Sequence, residues 1–135
     1  MYTNFLSVRG TVGYSRPFPV QTIKDNNYRH YPFVTSHLRA FYTQLFRNIE
    51  EDDLKDSEGN YLQAANDVAI CIPILEQSFE RVIYIPELTY YYNSNTGLNN
   101  HKLRLKEQKG NDRMLRKRKS YKPLVELLPT PKIPS

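Results

Sequence analysis

Asp67 is a lone carboxylate at the head of an apolar run, Val68-Ala69-Ile70-Cys71-Ile72-Pro73-Ile74-Leu75, and that placement allows two kinds of chemistry. A carboxylate there, or the Asn66 beside it, can accept orphan backbone N–H groups and complement the positive end of a helix, a cap worth about 1 kcal/mol. Alternatively it can take a proton in a cleft that opens at the helix mouth. Two other stretches carry chemically able side chains. His37-Leu38-Arg39 places an imidazole and a guanidinium two residues apart, and Asn93-Ser94-Asn95-Thr96-Gly97-Leu98-Asn99-Asn100-His101 is a polar loop ending in an imidazole. Loops of that kind at strand ends are where binding residues collect, although a single loop histidine is most often just exposed. The acidic run Glu50-Glu51-Asp52-Asp53 lacks the alternation and glycine of a calcium loop, so it reads as a solvated helix end.

Elements that would position these groups follow from periodicity. With no polar face, 66–76 reads as a helix buried on all sides, kinked where Pro73 removes a ladder hydrogen bond. Thr35 or Ser36 is a natural N-cap, and Leu38, Phe41, Tyr42, Leu45, Phe46 and Ile49 then fall at helical spacing, predicting an amphipathic helix that packs on a sheet. Arg39 would lie in the first turn of that helix, where the dipole disfavours a cation, so an anionic partner is expected nearby. Tyr2, Phe5, Leu6 and Val8 read as a strand, and 81–86 and 88–93 as two more, separated by Pro86-Glu87. Tyr14-Ser15-Arg16-Pro17-Phe18-Pro19 is extended by its prolines and reads as a loop over a surface.

Charge is concentrated rather than spread. Residues 102–122 carry ten Lys or Arg against two acids, a helix candidate interrupted at Gly110-Asn111, while the rest of the 135-residue chain is net negative. Such a segment suits an anionic ligand, a membrane surface or nucleic acid, but most such runs are simply solvated. Eleven tyrosines would serve base stacking, yet Tyr42, Tyr84, Tyr90 and Tyr92 fall at core spacing and no RNP-like motif is present, so nucleic acid is not the expected partner. No apolar run reaches the roughly 20 residues of a membrane span, and the N-terminus has neither a basic n-region nor a long apolar h-region. With one cysteine, Cys71, set in the apolar helix, a reducing and hence cytoplasmic setting is expected, with the thiol used for packing. P-loop, zinc-protease and nucleophile-elbow motifs are absent.

Four blocks in order resemble a known family. Tyr31-Pro32-Phe33-Val34-Thr35-Ser36-His37-Leu38-Arg39-Ala40-Phe41-Tyr42, then Ala65-Asn66-Asp67-Val68-Ala69-Ile70-Cys71-Ile72-Pro73-Ile74-Leu75-Glu76, then Ile85-Pro86-Glu87-Leu88-Thr89-Tyr90-Tyr91-Tyr92-Asn93, and finally Asn99-Asn100-His101-Lys102 resemble the C-terminal, acceptor-side half of family-2-like glycosyltransferases of the GT-A fold. The similarity runs from about Tyr2 to Pro123. It implies that Asp67 is the general base that takes the acceptor hydroxyl proton and that His101 helps hold a divalent metal, manganese or magnesium, or the donor diphosphate. His37 and Arg39 would line the sugar side, with Arg39 pairing with the diphosphate or with Asp67, and Asn66 and Asn93 would shape the same pocket.

The resemblance also implies a departure. The nucleotide-binding half with its Asp-x-Asp motif has no counterpart in the chain, and Asp52-Asp53 lies in the wrong place to be one. The expectation is therefore an α+β, partial GT-A domain over 1–123, with helices on a small mixed sheet, followed by a Pro-rich tail over 124–135. A nucleotide-sugar donor and a glycan or other hydroxyl acceptor are the expected ligands, with the donor half supplied from elsewhere, such as a separate chain. Transfer by this chain alone is not expected. The rival expectations are a noncatalytic carbohydrate- or partner-binding remnant and a basic nucleic-acid-binding protein.

Overall fold

The computed structural model describes residues 1–96 and 104–126, and its architecture is α+β. In chain order come β1 (Tyr2–Ser7), α1 (Val20–Lys24), a 3-10 turn (Tyr28–His30), α2 (Thr43–Arg47), a second 3-10 turn (Glu51–Leu54), α3 (Asn66–Ser78), β2 (Tyr84–Tyr92) and α4 (Leu105–Arg116). No helix among the described residues is long and apolar enough to cross a membrane.

The hub is α3, as its composition dictates. Ten of its thirteen residues are buried, from Val68 to Ser78, and each side of it meets a different group of side chains. Val68, Ala69 and Ile72 pack with Leu62, Ala65 and Leu115, so that side holds α4. Leu75 packs with Tyr2, Phe18, Tyr28 and Val34, bringing in β1 and the extended segment before α1. Ile74 meets Leu45 and Ile49 of the α2 region. At about 1.5–3 kcal/mol for each large apolar side chain buried, this helix contributes a dominant share of the hydrophobic stabilisation. The helix runs on through Pro73, and Cys71 is a free, buried thiol whose pKa burial pushes up to about 11, in keeping with a packing role.

Among the described residues the strands form one parallel pair, so the mixed sheet expected from the sequence is corrected. Antiparallel pairing is reduced to the isolated bridges Tyr2–Arg39, Leu6–Val12 and Lys55–Tyr61. β2 is also a single strand where two were expected. Partners step from Tyr2–Tyr84 to Asn4–Leu88, so four residues of β2 span what two of β1 span, and Pro86 is absorbed in that bulge, where its missing N–H is not needed.

The largest correction concerns residues 35–49. Only Thr43–Arg47 is helical, and 35–42 forms no helix, bending at His37 and bridging to Tyr2 at Arg39. Long-range pairing takes the backbone groups a helix would need: Thr3 N–H donates to Leu38 O at 2.9 Å, Ala40 N–H to Met1 O at 3.0 Å, and Leu38 N–H to Thr3 Oγ1 at 2.7 Å. Leu45 and Ile49 are buried, but Leu38, Phe41, Tyr42 and Phe46 of the expected core stripe are exposed, as is Tyr90 of β2.

α4 continues through Gly110 and Asn111 without the expected interruption. Asn111 Nδ2 donates to Ala64 O at 3.1 Å, docking that turn on the entrance to α3, and Gly110 lies on the open side. A buried ion pair fixes α4 further. Arg29 grips Glu76 of α3 with Nε to Oε1 at 2.8 Å and Nη2 to Oε2 at 2.7 Å, and donates Nη1 to Leu115 O at 2.8 Å. Glu76 Oε2 also accepts Tyr121 N–H at 2.9 Å, and the chain stays docked as far as Leu124, whose N–H donates to Gln77 O.

Candidate functional site

The expected site residues divide into those brought together, one set apart and one outside the described region. His37, Asn66 and Asp67 line one cleft of about 790 Å3, within the range of small-molecule sites. Arg39 borders instead a second, more apolar cavity of about 550 Å3 floored by Cys71, Ile74 and Leu75. Asn93 is exposed and its Oδ1 accepts the Asn95 N–H at 3.1 Å, while its neighbours Tyr92 and Ser94 line the cleft. His101, assigned to the metal, lies outside the described residues. Among the described residues no group of three His, Cys, Asp or Glu side chains could hold a metal ion.

Asp67 sits in the first turn of α3 and is only partly buried. The N-cap position belongs to Ala65, in the left-handed region at φ 62°, and no side chain caps from there. That conformation is disfavoured for any residue with a Cβ by about 1–2 kcal/mol and turns the chain sharply into the helix just before Asn66 and Asp67. Of the two roles left open by the sequence, the contacts of Asp67 display the first, acceptance of an orphan helix N–H. Its Oδ1 accepts the Val68 N–H at 2.9 Å, satisfying one orphan donor of the helix, and its Oδ2 accepts from Arg39 Nη2 at 3.3 Å. Each oxygen keeps lone-pair capacity for an incoming hydroxyl.

Arg39 thus has the anionic partner expected for it, though it lies on an extended segment rather than in a helix turn. Its Nε and Nη2 both donate to Thr35 O, at 3.1 and 2.9 Å, and its guanidinium carbon lies 5.5 Å from the Phe33 ring centroid. With the fork committed to backbone and ring, the cation is held in place against Asp67.

His37 is part of an aromatic wall. Its ring stacks on Tyr90 at 4.9 Å and Tyr92 at 5.8 Å and meets the edge of Phe5 at 6.4 Å. Burial and then the Arg39 charge lower its pKa below the usual 6.5, with Asp67 opposing, so it is neutral at pH 7. Phe5 continues the wall to Tyr14 at 6.2 Å and Tyr92 at 5.1 Å. Gly13 allows this approach, because a Cβ there would stand 2.5 Å from the Phe5 ring.

Sequence reasoning missed Phe5, Tyr14 and Gln108 as cleft residues, and no local signal marks them: they belong to the first strand, a proline-flanked loop and the basic helix. That helix is less available to an anionic polymer than its charge suggests. Arg116 donates to Arg29 O and Tyr31 O at 2.8 and 2.7 Å, and Arg118 donates to Asp53 O and Lys55 O at 2.5 Å each. Asp53, from the acidic run, is half-buried and engaged by Arg118 and by the Tyr121 hydroxyl rather than solvated. No protein-family model, no curated protein and no solved structure matches the chain.

Proposed function

We propose that this chain forms the acceptor side of a cytoplasmic, family-2-like glycosyltransferase site, in which Asp67 is the general base. The observation that carries the reading is the meeting of His37 and Asp67, from two sequence blocks, at one aromatic-walled cleft, with Arg39 paired to Asp67. In the intact enzyme a nucleotide-sugar donor, bound with a divalent metal by a nucleotide-binding half, would present its anomeric carbon to that cleft. The acceptor hydroxyl oxygen bonds to the anomeric carbon, its proton passes to the Asp67 carboxylate, and the bond to the departing nucleoside diphosphate breaks. Arg39 holds the carboxylate in one orientation by its fixed fork, and Ala65 aims the helix mouth at the cleft. Neutral His37 and the rings around it give a wall for a sugar or another hydroxyl-bearing acceptor, and Asn66 supplies an amide beside the base.

The test is nucleoside diphosphate release from a panel of nucleotide sugars, measured with the chain co-produced with the donor-binding half of a family-2 glycosyltransferase and offered simple glycosides as acceptors. Acceptor-dependent release supports the reading. Absence of release across the panel, with donor still bound, overturns it in favour of a noncatalytic binding role.

A further inference from the structure

The charges of α4 are sorted by face. Arg116 turns inward, bonded to Asp112, Arg29 O and Tyr31 O, and Arg104 at the helix entrance pairs with Glu107, so both acids of the helix are spent on arginines. Lys106, Lys109, Arg113 and Lys117 are exposed, and none of them has an ion pair among the described residues. Arg113 commits only its Nε, to Lys109 O one turn back. Spacings of three, four and four residues set these cations in an arc of about 80° along roughly 16 Å of helix. The arc lies opposite the side that holds α4 to the fold, where Leu115 is buried and Asn111 donates to Ala64 O. Gly110, at the edge of the outward side, meets open space. Lys119 and Lys122 continue the exposed, unpaired series past the helix end.

A helix face that is merely solvated gains from acids set three or four residues from its bases, and like charges at that spacing repel. The outward face of α4 carries one sign only, so an anionic surface is its complement. The other side chains show which surface. No aromatic ring stands on the face to stack a base, and the Tyr121 hydroxyl is engaged by Asp53 and the Glu50 N–H. The amides able to read a base edge are turned away, Gln108 to the cleft and Asn111 to Ala64. Beside the cations stands an apolar group instead. Leu105 is 50 % exposed, one turn before Lys109, and borders the same shallow groove as Lys109 and Arg113. Lysine-rich charge with a projecting leucine at its edge is the composition that settles on the headgroups of an anionic bilayer.

We infer that the outward face of α4 docks on an anionic lipid bilayer, with Lys106, Lys109, Arg113 and Lys117 against the headgroup phosphates and Leu105 entering the interface beside them. The inference rests on no part of the transferase reading. It gives the two sets of cations separate roles. Arg116 and Arg118 bond to carbonyls of the fold and hold α4 and the segment after it in place, and the outward set is left to meet the membrane.

The experiment is flotation of the full 135-residue chain with phosphatidylcholine vesicles, with and without phosphatidylglycerol, across a salt series. Binding is expected only where phosphatidylglycerol is present, and it should fall as salt rises. Lys109→Gln/Arg113→Gln/Lys117→Gln should weaken it by at least about tenfold, with the NMR amide dispersion of the fold retained. Arg16→Gln/Lys24→Gln/Arg47→Gln removes the same charge from exposed positions on other elements and should leave binding within about threefold of wild type. Leu105→Ala should weaken binding about threefold without changing its salt dependence. Equal losses in the two triple variants overturn the inference, because net charge would then account for the binding. So does a chain that stays off phosphatidylglycerol vesicles at low salt. A DNA duplex that strips the chain from the vesicles at equal phosphate concentration also overturns it, and assigns the face to nucleic acid. Acceptor-dependent release of nucleoside diphosphate is measured without vesicles, so either reading can fail while the other stands.

Discussion

Removing one partner of the Arg29–Glu76 pair should destabilise the fold more than any other single polar change, because neither group has solvent to fall back on. Arg29 is 3 % exposed and Glu76 is fully buried, and the pair is bidentate at 2.8 and 2.7 Å. Glu76→Gln leaves the guanidinium uncompensated inside the protein, which costs about 3–5 kcal/mol. A domain of this size holds roughly 5–15 kcal/mol in all, so the loss is about a fifth of its stability or more. With a urea m-value of about 1–3 kcal/mol/M, the unfolding midpoint should fall by about 1–5 M. Arg29→Met should cost a similar amount by stranding the carboxylate. The double variant Arg29→Met/Glu76→Gln strands no charge. It leaves Leu115 O without its donor, at about 1–3 kcal/mol, while the amide oxygen at 76 can still accept the Tyr121 N–H, so it should be more stable than either single variant. Urea denaturation of the four proteins gives the coupling energy, which should exceed about 2 kcal/mol. Single variants whose losses simply add in the double variant would refute the claim that the pair acts as a buried unit.

Three further outcomes follow from the site. Arg39→Met should change stability by no more than about 1 kcal/mol, since its partner carboxylate is 41 % exposed and such pairs are weak; a much larger loss in denaturant melts would show that the pair holds the fold rather than the cleft. His37 has a folded-state pKa below its ordinary 6.5, so its contribution to stability is full above about pH 6.5 and is lost as pH falls toward the depressed value. His37→Phe should therefore flatten the stability profile between pH 7 and 5, and an unchanged slope would count against that environment. Gly13→Ala forces a methyl onto Asn4 Oδ1 and the Phe5 ring and should destabilise by about 1–3 kcal/mol, read as a lower Tm; a wild-type Tm would mean that both neighbours yield freely.

What could be read from the sequence divides along local and long-range lines. An unbroken apolar run announced α3 and its full burial, and the alternating aromatics announced β1. A partner for Arg39 was expected from helix electrostatics, and the partner is Asp67, yet the premise was wrong: residues 35–42 are drawn out by pairing with Met1 and Thr3, contacts that no periodicity over 35–49 records. For the same reason two short strands merged into β2, since only the register with β1 shows where a bulge can absorb Pro86. Glu76, a carboxylate closing an apolar run, was a visible hint of a buried ion pair, but its partner lies 47 residues away. Gln108 carried no hint, because a glutamine in a lysine-rich helix has an ordinary solvent role until α4 is seen against the cleft.

Asp67 is the residue on which transfer depends, and the most direct measurement is steady-state transfer by the reconstituted enzyme with Asp67→Asn, an isosteric change that keeps an acceptor for the Val68 N–H and removes the proposed base. A loss of about 10²–10⁴-fold in kcat, with acceptor KM nearly unchanged, is the predicted result for a general base. A variant that turns over within a few-fold of wild type would contradict it and leave Asp67 a structural partner of Arg39.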